Sequence, residues 1–226
     1  MFRKYIGYIL QTIQCRFDKA FSLQKAQVKW IRYQIEKGNT VSIEGGKVTK
    51  CSFSIGGGKN NKVNLLNHAD MAFSDIHIYG ENNTVVLNGC SGILSLTLRG
   101  NNNHIEIGRK TSMEGMYMIS MGVDNKITIG ANCMISGDVE IWNTDSHLIT
   151  DLADKSINPS LPVEIGDHVW IGKHVKILKG VQIGDGSIIG MSSVVTKDVS
   201  AHAIAAGNPA RVVKENCKWK HGFIEI

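Results

Sequence analysis

Between residues 165 and 199 the hydrophobic positions recur every six residues. A large aliphatic residue occupies the first position of each hexad: Ile165, Ile171, Ile177, Ile183, Ile189 and Val195. A smaller residue follows four positions later: Val169, Val175, Val181, Ser187, Ser193 and Val199. A period of six fits neither an α-helix nor a free strand, but it fits short strands joined by tight turns. Three such strands would close one triangular rung, and stacked rungs would bury their aliphatic side chains in a column. The pattern therefore predicts an all-β fold, a parallel β-helix.

A looser repeat occupies residues 38–128. A turn rich in glycine and asparagine, followed by an alternating strand, starts at Gly58, Gly80, Gly100 and Gly122, with a fainter copy at Gly38. The interval from one copy to the next is slightly longer than three hexads, which predicts irregular rungs with extra corner residues. Asparagines stacked at such corners usually form side-chain ladders; glycan binding is the alternative role for them.

The strict register covers residues 129–200 and is interrupted once. Ile165 resumes it a whole number of hexads after Ile141, so the coil continues in phase. The polar segment 142–164 is therefore predicted to be an inserted loop, a common location for chemistry on a rigid repeat. Residues 201–226 are predicted to close the coil. The small residues before Asn208 and Pro209 favour a fixed turn there, with a cis peptide bond as one option.

Residues 1–37 follow a different pattern. Apolar residues recur at helical spacing, among them Phe21, Val28, Ile31 and Ile35, and lysines and arginines give the opposite face a basic character. We therefore predict one N-terminal amphipathic helix that ends at Gly38. It would cap the open end of the coil or pack on its side; the alternative is a peripheral anchor on an anionic membrane surface.

Composition sets the wider bounds. The chain has 226 residues, of which 42% are hydrophobic and 24 are glycine, as expected for a turn-rich β protein. The net charge of +5 is dispersed, which favours an anionic small molecule or an acidic glycan over nucleic acid. Five cysteines without a CxxC pair favour a reducing compartment. With no apolar run of the roughly 20 residues that span a membrane, and no signal-peptide pattern, we expect a cytoplasmic protein.

Several segments together resemble the hexapeptide-repeat acyltransferases: the hexads, VWIG at 169–172, a histidine in the inserted loop and the ending AAGNPARVVK. Within this family, EIWNTDSH at 140–147 and PARVVKEN at 209–216 are most similar to the bacterial capsule O-acetyltransferases that act on polysialic acid. The resemblance covers roughly residues 100–217. It implies a left-handed coil, an exception to the right-handed crossover rule, and a homotrimer. The implied activity is metal-free transfer of acetyl from acetyl-CoA to a hydroxyl of a surface-glycan sugar, in capsule or lipopolysaccharide and including sialic acid.

The family motifs also assign roles to residues. His147 matches the general base, because an imidazole can take the proton of a weakly acidic sugar hydroxyl near neutral pH. Asp145 or a nearby carbonyl would hold the imidazole tautomer. Trp170 matches the tryptophan that lines the donor pocket and, with Asn143, would contact the acceptor. The other positions implied to bind coenzyme A are Lys173, Met191, Ser192, Thr196, Lys197, Ala206, Gly207, Asn208 and Pro209, with Arg211 and Lys214 near its phosphates. Met191 replaces the small residue that is more usual at its corner.

Three alternatives stay open at this point. The acceptor could be the amine of an amino sugar, although residues 1–37 contain no glycine fingerprint of a nucleotide-binding domain. The chain could be a non-catalytic solenoid that binds glycan on its flat faces. His168 and His174 could bind a metal between two subunits, although no carboxylate and histidine set accompanies them.

Overall fold

The structure, a computed structural model, describes residues 20–222 and the backbone of residues 5–9. The chain winds into a coil whose turns, called rungs below, are stacked on one another through parallel strand pairing. One side of the coil is a parallel sheet of eight strands, one from each of eight rungs. The predicted parallel β-solenoid is confirmed.

The strands follow one another in rung order. β1 (Tyr5–Ile9) precedes the first rung. The first three rungs contain β2 (Phe21–Gln24), β3 (Gln27–Lys29), β4 (Ile31–Ile35), β5 (Thr40–Glu44), β6 (Lys47–Thr49), β7 (Ser52–Gly56), β8 (Lys62–Leu66), β9 (Asp70–Ala72) and β10 (Asp75–Tyr79). In the next two rungs they are β11 (Thr84–Asn88), β12 (Ser91–Asn101), β13 (His104–Ile107) and β14 (Ser112–Val123). The regular rungs contain β15 (Lys126–Ile129), β16 (Met134–Ile135), β17 (Val139–Trp142), β18 (Val163–Ile165), β19 (Trp170–Ile171), β20 (Lys176–Ile177), β21 (Gln182–Ile183), β22 (Ile188–Ile189) and β23 (Val194–Val195). The closing strands are β24 (Ile204–Gly207) and β25 (Ala210–Lys214).

Strand pairing defines three faces. Face 1 is the sheet β2-β5-β8-β11-β13-β15-β18-β21. Face 2 contains β3, β6, β9, the first residues of β12 and β14, β16, β19, β22 and β24. Face 3 contains β4, β7, β10, the later residues of β12 and β14, β17, β20 and β23. The coil is therefore three-sided, with edges that we call 1–2, 2–3 and 3–1.

The core is a column of aliphatic side chains that point inward from all three faces. In the regular rungs Ile165 pairs with Ile183, Ile171 with Ile189 and Ile177 with Val195, and all six side chains are buried. Each such side chain stabilises the fold by about 1.5–3 kcal/mol through its removal from water. Ile129 pairs directly with Ile165, so the inserted loop does not disturb the register, as predicted.

Asparagines at the 3–1 edge form the predicted ladder. Asn39, Asn61, Asn83, Asn103 and Asn125 are buried, and each side-chain oxygen of the first four accepts the backbone N–H of the next asparagine at 3.0–3.2 Å. The exposed residue before each buried asparagine adopts a left-handed backbone, for example Asn82 with φ +57°. Asparagine suits both positions, because it tolerates this conformation and can satisfy buried backbone groups. The ladder accounts for the repeated Asn-Asn pairs.

The prediction of one amphipathic helix over residues 1–37 is wrong for the residues that the structure describes. Residues 21–35 form the three strands of the first rung, and Phe21, Val28, Ile31 and Ile35 are its inward residues. Residues 5–9 form β1, antiparallel to β4 on face 3. The remainder of the predicted helix, residues 1–4 and 10–19, lies outside the described residues. The coil thus begins before Gly38, and in the described part of the chain no helix is long and apolar enough to cross a membrane.

The C-terminal segment closes the coil in two steps. β24 pairs in parallel with β22, and β25 folds back antiparallel to β24. The turn between them contains a cis peptide bond at Asn208-Pro209, which confirms the option raised by the sequence. The chain then crosses to the 1–2 edge, where the N–H of Cys217 donates to the carbonyl of His202.

Candidate active site

The inserted loop leaves the coil after β17, at the end of face 3, and returns at β18 on face 1. Its base is held by Asn143, whose amide nitrogen donates to Ser120 Oγ at 2.9 Å and whose amide oxygen accepts the N–H of Met121 at 3.0 Å. The N–H of Leu161 donates to the carbonyl of Asn143 and closes the loop. Asn143 is fully buried. From the sequence we expected this side chain to contact the acceptor. The structure corrects that expectation, because the whole side chain is enclosed by the protein.

His147 lies in the exposed first half of the loop. Ser146 adopts a left-handed backbone, with φ +64°, and the N–H of His147 donates to the carbonyl of Asp145 at 2.7 Å. The carbonyl of His147 accepts the amide of Asn158 at 2.8 Å. These bonds fix the backbone, whereas the imidazole makes no hydrogen bond to any residue that the structure describes. Its ring nitrogens are thus available to a ligand.

The carboxylate of Asp145 is occupied by other partners. Lys179 on the neighbouring rung donates to it, and Asn158 Nδ2 donates to the same oxygen at 3.0 Å. The hydrogen bond from Lys179, followed by that from Asn158, holds the pKa of Asp145 below its usual range. Lys179 also donates to the carbonyl of Pro159 at 3.2 Å. Asp145 therefore cross-links both arms of the loop to the coil, and its predicted contact with the imidazole of His147 is not present in this structure.

Seven of the predicted donor-binding residues lie together on the 2–3 edge. Lys173, Met191 and Ser192 belong to successive rungs at this edge, and the turn Ala206–Pro209 follows in the next rung. The edge is shaped by close backbone contacts: a Cβ on Gly172 would lie only 2.7 Å from the nitrogen of Met191. Ser193 ties the layers together, because its hydroxyl donates to the carbonyl of Gly190 and accepts the N–H of Gly207.

The other predicted donor residues lie elsewhere. Thr196 and Lys197 follow β23 at the 3–1 edge, and both are exposed. Arg211 and Lys214 lie on β25, where their side chains are exposed to solvent. One chain therefore distributes these eleven predicted donor residues over two edges and the closing strand, and the twelfth, Trp170, lies on face 2.

Trp170 projects from face 2 and is about one-third exposed, at 37%. It lies beside Trp219 of the C-terminal segment, with ring centroids 6.2 Å apart. Trp219 is buried; it stacks on His168 at 4.1 Å and donates from Nε1 to the carbonyl of His168 at 2.8 Å. No sequence motif signals this contact, which joins positions 51 residues apart. His168 is therefore packed against Trp219.

Trp170 and His147 belong to different sides of the chain. Trp170 is on face 2, whereas the loop that carries His147 connects faces 3 and 1. The site that the family resemblance implies contains both side chains, and one chain places them on different sides of the coil. Among residues 20–222 no group of three or more histidine, cysteine, aspartate or glutamate side chains could hold a metal ion. His174 instead lies 3.6 Å from the carboxylate of Asp138.

Comparisons with known proteins agree with this architecture. Residues 162–197 match the family model described as bacterial transferase hexapeptide (six repeats). A polysialic acid O-acetyltransferase of Escherichia coli O1:K1 / APEC is 43% identical over 114 residues, which cover 50% of this chain and 37% of that protein. A polysialic acid O-acetyltransferase of Neisseria meningitidis is 34% identical over 135 residues, which cover 59% and 62%. The crystal structure of the polySia-specific acetyltransferase NeuO has a TM-score of 0.74 at 29% identity and covers 91% of both chains.

The fold and the repeats together define a hexapeptide-repeat solenoid, a class of fold to which the acetyltransferases named above are similar. Within that class, the resemblance to the polysialic acid O-acetyltransferases that the sequence predicts is confirmed. The sequence alignments span 37% and 62% of the length of these two relatives, less than two thirds in each case.

Proposed function

We propose that this protein is an acetyl-CoA-dependent O-acetyltransferase that acts on a hydroxyl of an acidic bacterial surface glycan. The observation that carries the proposal is the imidazole of His147: it is exposed and without a hydrogen bond to the described residues, yet its backbone is fixed by Asp145 and Asn158. A general base needs this combination of a fixed position and a free ring nitrogen. The relatives named as polysialic acid O-acetyltransferases support the acceptor class.

In the proposed reaction the acceptor hydroxyl attacks the carbonyl carbon of the acetyl thioester. His147 takes the hydroxyl proton as the new C–O bond forms. The C–S bond then breaks, and the coenzyme A thiolate recovers the proton from the imidazolium, so the enzyme returns to its starting state. Lys179 and Asn158 contribute by holding Asp145, and with it the loop, in place.

The donor is proposed to lie along the 2–3 edge. Lys173, Met191 and Ser192 are exposed there beside the Ala206–Pro209 turn, so a pantetheine chain can contact backbone and side chains of three rungs. Arg211 and Lys214 are exposed cations that can follow phosphate groups without fixed geometry. The exposed side chain of Met191 would shape one wall of this groove.

A homotrimer of left-handed coils is part of the proposal. Two features support it: Trp170 and His147 lie on different sides of one chain, and the loop exposes several large apolar side chains that its own coil does not cover, namely Leu148, Ile149, Leu152 and Ile157. Exposed apolar clusters of this kind commonly pack against another subunit. In a three-fold assembly the loop of one subunit can meet face 2 of its neighbour.

The test is incubation of the purified protein with acetyl-CoA and a panel of acceptors, followed by mass spectrometry. The panel contains polysialic acid, free sialic acid, neutral capsular glycans and an amino-sugar nucleotide. We expect the mass of one or more acetyl groups on the acidic glycan, and loss of this mass after mild alkali, because esters hydrolyse more readily than amides. Transfer to the amino sugar alone, or turnover with none of these acceptors, would contradict the proposal.

A further inference from the structure

The 2–3 edge carries exposed aromatic side chains in the first and third rungs, away from the loop. Their positions follow from strand register: Lys29 pairs with Thr49 and Thr49 with Ala72, so the residues after them stack on successive rungs. The stacked set, called the aromatic edge below, consists of Trp30, Lys50 and Phe73. Trp30 and Phe73 are 51% and 57% exposed. More than half of each aromatic side chain thus stays in contact with water, so folding of one chain does not account for them.

Backbone conformation makes these two aromatic residues more unusual. Trp30, Lys50 and Phe73 have φ values of +58°, +53° and +50°, in the left-handed region. The same edge position further along the coil is filled by Asp138, His174 and Ser192. Among the described non-glycine residues with positive φ, most are asparagine, aspartate, histidine or lysine, and Trp30 and Phe73 alone carry an indole or a phenyl ring. Bulky side chains are disfavoured in this conformation, so neither burial nor backbone preference explains their presence.

The aromatic edge is also basic. The ammonium group of Lys50 lies 4.7 Å above the centre of the Phe73 ring, and no carboxylate among residues 20–222 forms an ion pair with it. The acid beside this edge, Asp75, accepts a hydrogen bond from the hydroxyl of Ser52. Three exposed cations, Lys29, Arg32 and Lys50, therefore lie beside this edge with one acid, Asp75.

We propose that the aromatic edge is a second acceptor site, which binds a segment of an acidic glycan chain outside the reaction site. The apolar C–H faces of sugar rings stack on aromatic rings, whose faces carry partial negative charge, and Lys50 supplies a partner for a sugar carboxylate. Because strands in a sheet are about 4.8 Å apart, Trp30 and Phe73 lie roughly 10 Å apart along the coil, which suits several linked sugars. The identity of the ligand as an acidic glycan rests on the proposed function.

The location implies a role in polymer length selection. Phe73 is in the third rung and the loop leaves the sixth, so about 14 Å separates them along the coil axis. One long chain can occupy both sites, whereas one sugar cannot. Occupation of the edge raises the effective concentration of the rest of the chain at the loop. The edge should therefore lower the KM for long acceptors and leave the KM for short acceptors unchanged.

The test compares the full-length protein with a Trp30→Ala/Phe73→Ala double variant. The acceptors are long polysialic acid and its trimer, and neutral dextran serves as the uncharged polymer in binding measurements. We expect the variant to raise the KM and the Kd for long polysialic acid by tenfold or more, with unchanged values for the trimer, for acetyl-CoA and for kcat. Val123→Ala, which trims an exposed apolar side chain on the 3–1 edge, is the matched control and should change none of them.

Conservative variants separate sugar stacking from subunit packing. Phe73→Tyr keeps a flat ring and should retain polymer binding, whereas Phe73→Leu keeps an apolar volume and should lose it. Equal KM changes for long and short acceptors, unchanged KM for both, or a smaller assembly of the double variant in sedimentation would overturn the second site. Because Kd is measured without turnover, polymer binding through the edge in a protein that transfers no acetyl group would contradict the proposed function alone.

Discussion

Removal of one buried asparagine from the ladder should destabilise the coil strongly. The side-chain oxygen of Asn83 accepts the backbone N–H and the amide of Asn103, both at 3.0 Å. Its nitrogen donates to Asn61 Oδ1 and to the carbonyl of Gly100, both at 2.8 Å. Asn83→Ala would remove all four hydrogen bonds and leave the buried N–H of Asn103 without its partner.

The magnitude follows from these contacts. A typical hydrogen bond contributes about 1 kcal/mol net, and a buried polar group left without a partner costs about 1–3 kcal/mol. Asn83→Ala should therefore lower the free energy of unfolding by about 3–5 kcal/mol, a large part of the roughly 5–15 kcal/mol that is usual for a domain. Urea unfolding followed by circular dichroism measures this difference.

Asn82→Gly is the matched control. Asn82 is the exposed neighbour of Asn83, its φ of +57° suits glycine, and its side chain accepts one exposed hydrogen bond from Asn60. The control should change the free energy of unfolding by less than about 1 kcal/mol, since exposed polar contacts contribute little. Equal effects of the two substitutions, or normal stability of Asn83→Ala with loss of glycan binding, would refute the structural role of the ladder.

The remaining predictions concern the loop, the donor and the core. Lys179→Ala should raise the pKa of Asp145 towards its ordinary value, because the hydrogen bond from Lys179 lowers that pKa. In the wild-type protein the contact between Asp145 and Lys179 is present above the ordinary pKa of an aspartate and is lost as pH falls through the lowered pKa. Titration of the Asp145 carboxyl followed by carbon NMR measures both effects. Arg211→Ala and Lys214→Ala should raise the KM for acetyl-CoA several-fold and leave kcat nearly unchanged, because phosphate charge does not change during acyl transfer; a fall in kcat at constant KM would contradict this. Burial raises the pKa of the Cys90 thiol to about 12, so a thiol reagent at pH 8 should modify Cys90 only after unfolding in urea, as peptide mass mapping can show.

The sequence predicts the regular part of this fold because equivalent residues of every hexad occupy the same local environment. Ile183 follows Ile165 by three hexads, and the two residues pair directly on face 1. The first rung is less regular. Its inward residues Val28, Ile31 and Ile35 are spaced in sequence like the apolar residues on one face of a helix. The long-range repeat is the signal that distinguishes this rung from a helix. Phe21 pairs with Val41, and the two residues are separated in sequence by the interval that separates the glycine and asparagine turns of the next rungs.

The site was predictable to the extent that it depends on the repeat. Met191 follows Lys173 by three hexads, which places both residues on one edge, as the structure confirms. The partners of the loop could not be predicted, since the contact of Asp145 with Lys179 joins the insertion to the coil across 34 residues. Trp219 stacks on His168 through the fold of the C-terminal segment, outside any repeat.

The most direct test of the proposed mechanism is the rate of acetyl transfer by His147→Ala. General-base catalysis usually contributes about 10²–10⁴ in rate, and we expect a loss of that size with unchanged acetyl-CoA affinity and unchanged assembly, because His147 lies in an exposed loop outside the core. His104→Gln, which alters a half-exposed histidine on face 1, is the control and should keep its activity. A His147→Ala protein that acetylates its glycan at nearly the wild-type rate would contradict the mechanism.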